Sequence, residues 1–186
     1  MNIKIPNNKR VWVTSDLHFG HNNIIKYCDR PFQNVLQMDT TLIDNWNNLV
    51  TDDDIVINAG DFAFCNDKRV IEILSSLNGT QYFVYGNHDR VMKRDSVQLF
   101  CEKTKKIEVF CDNLEFRYEG FLVFVSHYAH RVWNQMHRGS IHLYGHSHGT
   151  LPGEGRSIDI GVDSNETKTK YYPLLLTDIL EQLKER

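Results

Sequence analysis

Hydrophobic positions in this chain come in short dense runs, and the runs stop abruptly at histidines, acids and glycines. Val11 and Val13 on one face and Trp12 on the other predict a strand over Arg10 to Ser15. It ends at Asp16-Leu17-His18-Phe19-Gly20-His21. A short helix is expected around Asn22–Tyr27, followed by Arg30-Pro31-Phe32. Val35 to Val50 reads as a longer helix, with Leu36, Leu42, Ile43, Trp46 and Leu49 as its apolar stripe. Ile55-Val56-Ile57 is a continuous apolar run, the pattern of a strand buried on both faces, and it ends in Asn58-Ala59-Gly60-Asp61. Lys68 to Leu77 is a second helix that Asn78-Gly79 stops. Tyr82 to Tyr85 is a third buried strand, ending in Gly86-Asn87-His88-Asp89. Strands alternating with helices predict an α/β protein with a mainly parallel sheet.

The second half carries more strand and less helix. Lys106–Phe110, Leu114–Tyr118 and Phe121–Val125 are β-rich, and Glu119-Gly120 suits a hairpin turn. The last of them ends in Ser126-His127. A polar loop containing Trp133 leads to the apolar run Ile141–Tyr144, which ends in Gly145-His146-Ser147-His148. Ser157–Ile160 is another short strand, with Asp163 and Asn165 after it as turn residues. Leu174–Leu176 could pair at a sheet edge, and Thr177 is the expected N-cap of a final helix with Leu176, Ile179, Leu180 and Leu183 on one face.

Composition narrows this. A chain of 186 residues with 41% hydrophobic and 24% charged residues has the makeup of an ordinary globular protein. Without a repeat, linker or low-complexity tract it is expected to be a single domain over 1–186, with no cap domain. A net charge of -3 argues against a large basic nucleic-acid footprint. The apolar runs are too short for a membrane span. Four scattered cysteines and no secretory leader pattern suit reduced thiols and a cytoplasmic location. Histidine stands out: of nine, six lie between His127 and His148.

Five strand ends therefore carry oxygen or nitrogen ligands: Asp16 and His18, Asp61, Asn87 and His88, His127, and His146 with His148. Each alone has an ordinary reading as a cap, turn or loop residue. Together they do not, because turn chemistry does not call for a ligand after every dry strand, and α/β sheets bind ligands beyond the carboxyl ends of their strands.

In order, Asp16-x-His18, Gly60-Asp61, Gly86-Asn87-His88-Asp89, Ser126-His127 and Gly145-His146-x-His148 resemble the five motifs of the calcineurin-like metallophosphoesterase superfamily. The run from Asp16 through Ile25, with Arg30-Pro31-Phe32, looks like a small bacterial and phage branch of it. The resemblance implies a four-layer αββα sandwich, two packed mixed sheets flanked by helices. It implies two divalent metals, one on Asp16, His18, Asp61 and His148 and the other on Asp61, Asn87, His127 and His146. This mixed ligand set suits Mn, Fe, Zn, Co or Ni rather than Ca without choosing among them, and Mn is the expected ion. The implied reaction is hydrolysis of a phosphate mono- or diester by in-line attack of a metal-bridging hydroxide. His88 would be the general acid and Asp89 its orienting partner; Asp89 could equally cap a helix starting near Arg90.

His21 and Arg30, in the Asp16 segment, are candidates for binding substrate phosphate, since a guanidinium fork suits it. Trp46 and Trp12 read as core, and Trp133 as a loop anchor rather than a base-stacking platform. Among functions, a hydrolase of a small nucleotide-type substrate leads. A nuclease on short or single-stranded DNA or RNA is the alternative, and a non-catalytic interaction module on the same fold is a third. A homo-oligomer is compatible with each.

Overall fold

The structure, a computed structural model, describes residues 1–6, 8–164 and 171–185. Two five-stranded sheets carry the architecture. The first has the order β10-β2-β3-β4-β5, from β2 (Val11–Thr14), β3 (Ile55–Asn58), β4 (Thr80–Val84), β5 (Ile107–Cys111) and the edge strand β10 (Leu174–Leu175). Its strands β2 to β5 are parallel, and β10 is antiparallel to β2. The second has the order β1-β6-β7-β8-β9, from β1 (Asn2–Lys4), β6 (Asn113–Tyr118), β7 (Phe121–Ser126), β8 (Ile141–Tyr144) and β9 (Ser157–Asp159). Only the β6–β7 pair is antiparallel there, through a hairpin in which Glu119 (φ 48°) and Gly120 (φ 82°) make the tight turn.

Alternation along the strands packs the sheets face to face. Val11, Val13, Ile55, Ile57 and Val84 meet Leu114, Phe116, Val123, Val125, Ile141, Leu143 and Ile158 in one core. Trp12, Val56 and Phe83 point the other way, into a second core with helices α2 (Val35–Leu49), α3 (Asp67–Ser76) and α4 (Asp95–Thr104). Both central strands are thus dry on both faces, as their unbroken apolar runs require. Trp46 is fully buried, and Asn34 and Asn66 cap α2 and α3 through bonds to Gln37 and Arg69 amides, each 2.9 Å. On the far side of the second sheet, Trp133 packs 5.2 Å from His142 and donates to the Ser140 carbonyl, so it anchors its loop.

Some details differ from the sequence reading. Leu36 is 68% exposed; the buried face of α2 runs through Met38, Leu42, Asn45 and Trp46. The last helix, α5 (Leu176–Lys184), starts one residue before Thr177 and has no side-chain cap. Strand β1 was not anticipated, and the helix expected to start near Arg90 is a single turn at Val91–Lys93 followed by α4. Asn165 lies outside the described residues.

For function the important consequence is polarity. Parallel pairing aligns the ends of β2, β3 and β4, with Thr14 opposite Asn58 and Asn58 opposite Phe83. The same holds for β7, β8 and β9 in the other sheet. A bridge between Ser15 and Gly161 joins the sheets at this end. All five ligand-bearing strand ends therefore open onto one rim.

Candidate metal centre

At that rim the chain takes tight left-handed turns at non-glycine residues. Asp16 (φ 58°), His18 (φ 54°), Asp61 (φ 55°), His146 (φ 66°) and His148 (φ 46°) all lie in this disfavoured region. Backbone bonds hold the turns: the Asp16 and His18 amides donate to the Gly60 and Asp61 carbonyls at 2.9 and 3.0 Å. Space is supplied by missing side chains. A Cβ on Gly145 would run into Ser15 and the Asp16 carboxylate.

The expected ligands gather in two groups, and Cys28, His148 and Asp163 form a third. Asp16, His18 and His148 each place one ligand atom within 4.8 Å of the others, and so do Asp61, His127 and His146. Asp61 stands between these two groups. Its Oδ2 is 3.6 Å from His18 Nε2 and 3.4 Å from His127 Nε2, while Oδ1 accepts the His88 amide at 2.8 Å.

The hydrogen bonds fix which ring nitrogens face inward. His127 Nδ1 must donate to the Ala59 carbonyl at 2.8 Å, because a carbonyl only accepts. Neutral His127 then turns the Nε2 lone pair toward Asn87 Oδ1, 3.0 Å away, and toward Asp61 Oδ2. Three acceptors face one another with no donor among them. His18 is similar: Nδ1 meets His21 Nδ1 at 3.3 Å, and Nε2 is buried without a hydrogen-bond partner. His148 Nδ1 is bonded to Asp163 Oδ2 at 2.7 Å, leaving Nε2 for the centre. Facing lone pairs and an orphaned buried nitrogen are repulsive unless a cation or proton lies between them. The donor set therefore fits divalent metal ions.

Titration behaviour follows from the same crowding. Burial lowers His18 to about 3 and keeps it neutral. Burial raises Asp16 to about 7, although His148 and His127 pull the other way. For Asp61 burial is outweighed by His127 and the His88 amide, leaving it at about 2. Burial also opposes charge on His148, but the bond to Asp163, with contributions from Cys28 and Asp16, carries it up to about 10. His127 is raised too, because bonding to Asp61 and the charge of Asp16 overcome its burial.

Two expected roles are corrected. Arg30 does not reach toward substrate. Its side chain is wholly buried, with Nε and Nη2 on Asp163 at 2.9 and 2.7 Å, Nη2 on the Asp16 carbonyl at 2.7 Å and Nη1 on the Leu17 carbonyl at 2.9 Å. It clamps the Asp16 turn from behind. Asp89 neither orients the His88 ring nor caps a helix. Its Oδ2 accepts the Asp61 and Gly86 amides at 2.7 Å each and Oδ1 accepts the Phe62 amide at 2.9 Å, which locks the β3 and β4 turns together. His88 itself is exposed, with its ring 5.7 Å from that of His18. His21 lies at the edge of the centre, stacked on Phe64 at 4.5 Å.

Asp163 was undervalued as a turn residue. It joins Arg30 to His148, and a carboxylate behind a ligating imidazole fixes its tautomer. Asp159, fully buried, similarly holds the Gly149 and Gly161 amides at 2.9 and 2.8 Å. Asp159 ends the dry strand β9 and Asp163 follows it, which was the available signal.

A two-sheet α/β sandwich with paired ligand clusters at one rim is the architecture of a metallophosphoesterase. The chain belongs to the calcineurin-like phosphoesterase superfamily, whose domain it matches over residues 10–158. It is 39% identical over 142 residues to an uncharacterized protein of Methanocaldococcus jannaschii, covering 75% of this chain and 70% of that one. It is 26% identical over 179 residues to the Gene 66 protein of Mycobacterium phage L5, covering 82% and 86%. The fold is also similar to a protein of unknown function from Aquifex aeolicus, with TM-score 0.69 and 21% identity over 94% of this chain and 100% of that one. Members of this superfamily are phosphoesterases that use divalent metals. Among the described residues no helix is long and apolar enough to cross a membrane.

Proposed function

We propose that this chain is a dinuclear-metal-dependent hydrolase of phosphate mono- or diesters, with a small nucleotide-type substrate and Mn²⁺ as its metal. The observation that supports this most is the meeting of His127 Nε2, Asn87 Oδ1 and Asp61 Oδ2, which has no donor among the three once His127 is neutral, as a metal ligand must be. Asp16, His18, Asp61 and His148 would hold one ion, and Asp61, Asn87, His127 and His146 the other. Two divalent ions supply the electrophilic charge that draws in a phosphoryl group and acidifies the attacking water. Asp16 and Asp61 offset only part of that charge, since the histidines and Asn87 bind as neutral groups. A third aspartate at position 87 would remove more of it.

Around the ions, each residue has a distinct task. Arg30, Asp163 and Asp89 keep the turns in place. His88 is exposed at the mouth and delivers a proton to the leaving oxygen. Its amide bond to Asp61 Oδ1 ties that acid to the carboxylate that both ions would share.

A panel containing an aryl phosphate monoester, an aryl diester, cyclic nucleotides and short single strands should show Mn²⁺-dependent hydrolysis that a chelator abolishes. Calorimetry of the metal-free protein should show two ions bound per chain. Full activity in metal-free protein would sink the reading.

A further inference from the structure

Beside the candidate centre lies a cleft of about 620 Å³ that the ligand set does not account for. Asn87 and His88, from the candidate centre, line it together with Phe64, Arg90 and Arg94. If His88 protonates the leaving oxygen, whatever occupies this cleft is the leaving group. Its chemistry is mixed in a specific way. Phe64 is 53% exposed, so its ring is open to a ligand in the cleft. It is also held in place, with His21 stacked at 4.5 Å and the His88 ring edge-on at 5.7 Å. A fixed, half-open aromatic beside the reacting atoms is a platform for another ring.

The cleft is also lined by two cations, Arg90 and Arg94. Arg90 has no ion pair or side-chain hydrogen bond among the described residues. Arg94 has only a 3.6 Å contact with Asp67 between exposed groups, which binds it weakly. Among the described residues no carboxylate lines the cleft. The Cys65 thiol there is pushed up to about 11 by burial and adds no negative charge. Two available guanidiniums without an acid suit a phosphate dianion.

We infer that this cleft selects substrates whose leaving group is itself a nucleotide, its base stacking on Phe64 and its own phosphate pairing with Arg90 and Arg94. This rests on the phosphoesterase reading above and narrows it to linear dinucleotides carrying a terminal 5′-phosphate. For the deoxyadenosine dinucleotide pdApdA, water adds to the bridging phosphorus and the bond from phosphorus to the 3′-oxygen breaks. That oxygen takes a proton from His88, and the water gives up one in turn. Water and pdApdA thus yield two molecules of pdA, and the departing one carries both base and phosphate.

The test compares pdApdA with dApdA, which has the same scissile bond but lacks the terminal phosphate. With Mn²⁺ present, kcat/KM for pdApdA should exceed that for dApdA by about tenfold, mostly through KM. The preference should shrink as salt rises. In Arg90→Ala/Arg94→Ala the ratio should fall to near one, while Arg90→Lys/Arg94→Lys should keep part of it. Phe64→Ala should raise KM for both dinucleotides, and Phe64→Tyr should not. Independently of turnover, pdA should bind the chelator-treated protein more tightly than deoxyadenosine does, and the double alanine variant should lose the difference. Equal kcat/KM for the two dinucleotides in the natural protein, or a preference that survives the double alanine variant, would overturn the inference. If an aryl diester is hydrolysed but neither dinucleotide is, the inference falls and the phosphoesterase reading stands. If nothing is hydrolysed, both fall.

Discussion

Asp163→Asn isolates the support behind the centre without removing a proposed ligand. The Asp163 carboxylate accepts two bonds from Arg30 and one from His148, and both Arg30 and Asp163 are almost inaccessible to water. An amide has one oxygen and one donor group. It leaves at least one N–H of Arg30 or His148 facing another donor, and it leaves the guanidinium charge uncompensated. Breaking a buried pair in this way costs about 3–5 kcal/mol. With a urea dependence of about 2 kcal/mol/M for a domain of this size, the midpoint should fall by about 1.5–2.5 M. Chelator must be present, so that the effect is on folding rather than on metal occupancy.

The same carboxylate predicts a pH signature. In metal-free protein His148 is raised from 6.5 to about 10. A raised histidine stabilises fully below its unfolded value, and that contribution is lost as pH rises through its folded value. Stability of the natural protein should therefore decline between about pH 6.5 and 10, and Asp163→Asn should flatten this decline. Calorimetric titration with Mn²⁺ should also show a 10–100-fold weaker first ion, as expected when the partner of a ligating imidazole is lost. An Asp163→Asn midpoint within about 0.3 M of the natural protein, with the same pH slope, would refute the assignment of Asp163 as a buried clamp.

Other substitutions separate chemistry from scaffolding. His88→Ala should reduce kcat by about 10²–10⁴ on an ester with a poor leaving group and much less on an aryl ester, measured by steady-state kinetics. Equal losses on both would remove the acid role. Asp89→Ala orphans three backbone amides; unfolding in chelator should show a loss of about 2–4 kcal/mol, even though the residue touches no substrate. His146 is exposed and left-handed (φ 66°), so in chelator His146→Gly should be more stable than His146→Ala by about 1 kcal/mol. In both variants calorimetry should find the second ion lost. Equal melting of the two would remove the claim of strain.

The sequence made the donors legible and left their supports hidden, for a physical reason. A ligand after a dry strand is a local pattern, and parallel pairing brings such patterns to one rim whatever the spacing between them. Supports are not local. Arg30 finds its partner at Asp163, 133 residues on, so from the sequence it looks like any loop arginine available for phosphate. Asp89 follows His88 directly, which suggested a partnership, but the turn after Gly86 sends its carboxylate back to the β3 loop. The face-to-face sheets came only from the family resemblance, because an unbroken apolar run shows that a strand has two dry faces and not what covers each. The bounds of helix α4 escaped because only Val97 and Cys101 of it are buried, its N-cap Arg94 makes no side-chain capping bond, and Lys105 rather than glycine takes the left-handed position at its end.

Left-handed backbone at the candidate ligands belongs to the same problem. Glycine usually announces such turns, but here Asp16, His18, Asp61, His146 and His148 occupy them. Each costs roughly 1 kcal/mol over an ordinary conformation. Buried bonds from Gly60, Asp61 and Asp89 impose these turns on the Asp16, His18 and Asp61 amides. In the folded metal-free chain that strain adds to the repulsion among inward lone pairs. Neither is relieved by rearranging one residue, because the turns are cross-linked to one another. A cation relieves the repulsion at every inward lone pair at once. The strain and the orphaned nitrogen are therefore one feature: a rim folded in advance around charge that it does not itself supply.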